Sequence, residues 1–148
     1  MRPVTFTQLC LRVLLGSVFI VSGFQKLISP AQNFAAVIEK FNIVPAPAAS
    51  AIAQVFPWFE FVLGVLFALG LWTRASLFLL WAMNTAFIGL LSSALARKLP
   101  IDECGCFGEA VTLSPKNMLA VDIGLWFLFL IFFFAHRRVK APSLDERL

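Results

Sequence analysis

Apolar positions in this chain gather into four long blocks separated by short polar joints. A helix needs about 20 mostly apolar residues to cross a bilayer, and the blocks at about 8–28, 51–71, 75–96 and 117–136 each supply that many. The pattern predicts an all-α integral membrane protein. It is a four-transmembrane-helix bundle forming one domain over residues 1–148, with a short basic C-terminal tail at 137–148. No internal repeat stands out.

The joints carry their own signals. Between the first two blocks, Phe34, Val37, Ile38 and Phe41 recur at i, i+3, i+4 and i+7, with Glu39 and Lys40 on the other face. That spacing predicts an amphipathic helix at about 33–42, too short to span, lying on the membrane surface or over the bundle. Pro45 and Pro47 then turn the chain into the second span. Pro57 falls inside that span and removes a helical hydrogen bond, which predicts a kink. Ser114 and Pro115 form a start signal for the fourth span, as N-cap and first helical residue. Five phenylalanines between 127 and 134 cannot share one face, so some meet lipid. Arg12 and Lys26 sit about 21 Å apart along the first helix, within reach of opposite interfaces by snorkelling.

Composition sharpens this picture. The chain is 60% hydrophobic and 14% charged, against about 45–50% and about 25% for soluble domains. The net charge of +4 is scattered near the ends of apolar runs. This suits a lipid bilayer with anionic headgroups and argues against nucleic acid, which calls for a basic stripe. The first block is followed by Gln25 and Lys26 rather than a small-residue cleavage site, so it reads as a retained helix.

Four spans put both ends of the chain and the Thr73–Arg74 region on one side. That side holds Arg2, Arg12, Arg74, Arg137, Arg138, Lys140 and Arg147, seven cations against the five of Lys26, Lys40, Arg97, Lys98 and Lys116. The bias predicts cytoplasmic termini in a bacterial inner membrane, with residues 97–116 extracytoplasmic.

Candidate chemistry lies mostly at that far end. Cys104-Gly105-Cys106-Phe107-Gly108 places two thiols one residue apart in a polar loop on the side where disulfides persist. Such a pair can form a strained ring, and strained, exposed disulfides are the labile ones. A thiol–disulfide exchange pair, a static staple and half of a metal set are the three readings, the last the weakest because zinc wants four ligands. Cys10 stands alone in the first span and reads as a small buried hydrophobe.

Lys26, Glu60 and Asp122 are ionisable residues at membrane depth. An unpaired charge there costs at least about 2.5–3.5 kcal/mol, so such groups face the bundle interior and find partners. Beneath a dithiol, a lysine–carboxylate cluster supplies proton acceptors or hydrogen bonds for a quinone head group; equally, it is an ion pair that holds helices together. Trp58, two residues from Glu60, is a further candidate contact for such a ring. Asn84 and Thr85 read as interhelical hydrogen-bonding groups. Gly16 and Gly23, and Gly64 with Ala68, read as close-packing positions.

Several of these residues fall into a familiar order. Ser22-Gly23-Phe24-Gln25-Lys26-Leu27 resembles the SG-x-x-KL ending of the first helix in DoxX-like membrane proteins. Pro57-Trp58-Phe59-Glu60 followed by Gly64 resembles that family's P-x-x-E-x-x-x-G pattern, and the Cys104–Gly108 loop is similar to the MauE branch, named for methylamine utilisation. The resemblance implies a four-helix bundle in redox work, with an extracytoplasmic thioredoxin-like or thiol-containing partner. It also implies disulfide formation in exported proteins and, in other DoxX relatives, quinone as electron acceptor. Lys26 and Glu60 match patterned positions; Asp122 rests on depth and charge alone.

The sequence is thus read as a quinone-linked thiol–disulfide oxidoreductase. Cys104 and Cys106 exchange with the partner, Glu60 and Asp122 handle protons, and Lys26 stabilises a developing anion. The alternatives are a non-catalytic anchor or assembly subunit of a redox complex or homo-oligomer, and a small-solute or metal-ion carrier.

Overall fold

Five helices follow in chain order: α1 (Pro3–Ile28), α2 (Ala31–Lys40), α3 (Ala46–Leu69), α4 (Thr73–Ala96) and α5 (Pro115–Arg138). They come from a computed structural model that describes the backbone of residues 3–99 and 114–138, and side chains over 7–99 and 114–135. Cys104 and Cys106 lie outside the described residues. Four helices are long and apolar enough to cross a membrane, at Thr7–Ile28, Ala46–Leu69, Thr73–Ala96 and Pro115–Ala135. The all-α, four-span expectation stands.

Helix ends differ from the sequence reading by up to a turn or so. The helix α3 begins at Ala46 rather than near 51, with Pro45 as its N-cap and Pro47 in its first turn. A first-turn proline gives up an N–H that has no helical partner anyway. The helix then runs unbroken through Pro57 to Leu69. Ser114 caps α5 as expected, its hydroxyl accepting from the Asn117 N–H at 3.5 Å.

The spans close into a ring, α1 on α3, α3 on α4, α4 on α5 and α5 on α1, with the α1–α3 contact the most extensive. Small residues make that contact possible. A Cβ on Gly23 would stand 2.7 Å from the Phe61 backbone nitrogen, and one on Gly16 would stand 2.8 Å from the Ala68 Cβ. The backbones therefore touch, as the small-residue spacing predicted. At the far end of α3, Gly70 takes φ +79°, and the Arg12 guanidinium packs where its Cβ would be. A cation there complements the helix C-terminus.

One face of α1 turns inward, carrying Gln8, Arg12, Leu15, Phe19, Ser22 and Lys26, all buried. Two expectations fail on this stripe. Arg12 and Lys26 do not extend over the outer surface: both are buried, 7% and 4% exposed, because a helix terminus and a carboxylate offer them partners inside. Cys10 is not a buried hydrophobe; it falls between the stripe's positions and is exposed on the outer face.

In the bundle's middle, Leu15, Phe19, Leu63, Phe67, Leu77, Leu80, Leu125, Phe129 and Phe132 form one apolar cluster. Phe67 and Phe132 meet edge to face at 5.2 Å between centroids, and Phe129 meets Phe19 and Phe67 at a tilt. The remaining phenylalanines of α5 point outward, Phe127 at 56% and Phe134 at 59% exposed, as a lipid-facing surface requires.

The short helix α2 lies over one end of the bundle, packed mainly on α3. Phe34 and Phe41 are buried, while Glu39 and Lys40 face out. Its C-terminus is tied to α4, where Arg97 donates a 2.6 Å hydrogen bond to the Phe41 carbonyl. Of the two placements open from the sequence, the structure takes the one over the bundle.

Candidate functional site

The site grows from two turns of α1. Ser22 and Lys26 are four residues apart and share the inward face. Opposite them, the close approach at Gly23 brings α3 near enough for Glu60 to reach across. Lys26 Nζ lies 2.7 Å from Glu60 Oε2. The Ser22 hydroxyl donates to Glu60 Oε1 at 2.8 Å and accepts from Lys26 Nζ at 3.0 Å. Both carboxylate oxygens are satisfied, and the charges cancel. The ammonium also lies 5.3 Å from the ring centroid of Phe34 and 5.6 Å from that of Phe87, within cation–π range. Phe34 belongs to α2, so the short helix covers the ion pair.

The second half of the site comes from α4 and α5. Asn84 is buried and donates from Nδ2 to the backbone carbonyl of Asp122 at 3.0 Å. That bond fixes α5 at the level of the ion pair and leaves the Asp122 side chain for other use. Asp122 is 5% exposed, and its Oδ2 has no hydrogen-bond partner among the described residues. It feels both Lys26 and Glu60 electrostatically.

Ser22, Lys26, Glu60, Asn84 and Asp122 line one cavity of about 30 Å³, closed by Val18, Phe19, Phe87, Met118 and Leu125. A cavity needs at least about 10–15 Å³ to admit a water, so this one has room for one or two.

The structure thus brings Lys26, Glu60 and Asp122 together, as their depth suggested. Trp58 is not part of the group: it is 60% exposed and absent from the cavity wall. On a helix, residues two apart face different ways, so closeness in sequence to Glu60 carried no information. Ser22 escaped notice as a functional group, although its i, i+4 spacing to Lys26 was visible. Thr85 faces outward, donating to the Trp81 carbonyl and accepting from the Trp126 indole at 3.2 Å. Among the described residues no group of three His, Cys, Asp or Glu could hold a metal ion.

Arg12 and Gln8, at the other end of α1, are buried too, and the apolar cluster of the bundle's middle lies between them and the cavity. A continuous polar path along the bundle is therefore missing among the described residues.

Fold and site together define a multi-pass helical membrane protein with a buried polar cluster near one end. The chain belongs to the family described as methylamine utilisation protein MauE, whose model matches residues 4–135. No curated protein and no solved structure matches it.

Proposed function

We propose that the protein is a membrane thiol–disulfide exchange protein of the bacterial inner membrane, acting on an extracytoplasmic thiol or thioredoxin-like partner. In this reading Cys104 and Cys106 are the exchanging pair. As a disulfide they accept two electrons and two protons from a partner dithiol, which becomes a disulfide while they become thiols. The observation that carries the reading is the cavity with its spare carboxyl. The helix α4 ends at Ala96 and α5 begins at Pro115, at the end of the bundle where Lys26, Glu60 and Asp122 gather. In this reading Asp122 takes up or releases protons near the helix ends that the thiol-bearing segment connects in sequence. Both termini are then cytoplasmic, as the cation count suggests.

Reoxidation of the pair needs a two-electron acceptor, and a quinone is our proposal for it. None of the residue roles above depends on it.

A second reading has its own support. Ser22, Lys26 and Glu60 satisfy one another fully and join α1 to α3, as a purely structural ion pair does. A membrane anchor or assembly subunit of a redox complex would need no more.

Differential alkylation of Cys104 and Cys106 in intact cells, with and without a mild reductant, separates the two. A pair that cycles supports exchange, and replacing both cysteines by Ser should abolish it. A pair that stays oxidised, with Glu60→Gln lowering protein level rather than turnover, supports the anchor.

A further inference from the structure

Two carboxyls meet in the cavity, and their surroundings differ. Glu60 is held at both oxygens, by Lys26 and by Ser22. Its charge is cancelled by an ammonium at 2.7 Å, so a proton arriving on it would have to break that pair. Asp122 has neither constraint. Its backbone carbonyl takes the Asn84 hydrogen bond, and its Oδ2 faces the cavity without a partner among the described residues.

The charged groups that reach Asp122 are Lys26 from α1 and Glu60 from α3; α4 contributes the neutral Asn84. The ion pair sums to zero, so an ionised Asp122 would leave one net negative charge inside the bundle. Unpaired charges of that kind are costly in a membrane interior. A proton on Asp122 removes the charge, and a carboxylic acid can then donate to a water in the adjoining space. The cavity has room for one or two.

The cavity's floor decides where that proton can go. Phe19 and Leu125 belong at once to its wall and to the apolar cluster. Behind them Leu15, Leu80, Phe67, Phe129 and Phe132 are 0–1% exposed. An apolar, close-packed layer stays dry and offers a proton no carrier toward the chain termini. In the other direction Lys26 stands two residues from the end of α1.

We infer that the cavity is a proton-loading site made of Asp122 and one or two bound waters, and that it exchanges protons only with the side bearing α2 and the end of α1. This deepens the exchange reading, from which the site's purpose follows, but the site itself can be detected without the cysteines.

The test is infrared spectroscopy of the full chain in lipid vesicles of known orientation, reading the carbonyl stretch of a protonated carboxylic acid. Wild-type protein should show a band that disappears in Asp122→Asn and survives, shifted, in Asp122→Glu. The band should persist in the Cys104→Ser/Cys106→Ser variant, so a failure of the redox reading leaves this result intact. A pH step imposed on the α2 side should change the band, and the same step on the terminal side should leave it unchanged. Absence of the band in wild type, its insensitivity to both Asp122 variants, or a response to the terminal side would overturn the inference. Should Asp122→Asn not accumulate, the shift in Asp122→Glu and the sidedness of the wild-type band decide the matter alone.

Discussion

Lys26 on α1 and Glu60 on α3 meet at 2.7 Å, with 1% and 5% of their side chains exposed. Across 34 residues of sequence, this pair joins the two helices whose backbones come closest. Breaking such a buried pair by removing one partner costs about 3–5 kcal/mol, whereas replacing both by apolar groups of similar size is often far milder.

The single changes Lys26→Met and Glu60→Leu should therefore each destabilise the protein by about 3–5 kcal/mol. The double variant should recover a large part of that loss. Thermal unfolding in detergent, run as a double-mutant cycle, measures the coupling. Additive losses would show that the two side chains do not act as a pair.

The glycines divide sharply by position. Gly23→Val and Gly16→Val push side-chain atoms into the α3 backbone and should cost at least about 1–3 kcal/mol. By contrast, nothing lies within 4 Å of a Cβ placed on Gly89 or Gly124. Gly89→Ala and Gly124→Ala should be neutral, or gain up to about 1 kcal/mol from helix propensity. Detergent melting curves for the four variants check the contrast.

Gly70 combines a left-handed backbone with a guanidinium at its open side. Gly70→Ala should thus lose more stability than the roughly 1 kcal/mol of a left-handed residue alone, because Arg12 must also move. Arg12→Leu should lose up to about 2 kcal/mol through the helix terminus it leaves without a cation. If Gly70→Ala unfolds no earlier than wild type, the contact is not a constraint.

Asn84 separates structure from function. Interhelical hydrogen bonds in membranes average about 0.6 kcal/mol and reach about 1.7, so Asn84→Leu should change stability little. Its bond nevertheless sets the level of Asp122, and the infrared band of the protonated carboxyl should shift or broaden in this variant. An unchanged band would mean that Asn84 merely holds α4 to α5.

The sequence by itself determined the solvent of this protein. Blocks of about 20 apolar residues can satisfy their backbones in lipid only as helices, so four spans, their order and the amphipathic α2 were legible from local pattern. The ionisable residues were legible as interior for the same reason, since lipid penalises them wherever they are unpaired. Tertiary structure alone decided who pairs with whom. That Lys26 takes Glu60 and leaves Asp122 free depends on the depth at which Gly23 meets Phe61, a register between helices that no single span encodes. It also turned Arg12 inward onto the α3 terminus and Trp58 and Cys10 outward, because facing is set by packing around the whole ring of helices. The cavity and its size are likewise a property of the assembled bundle.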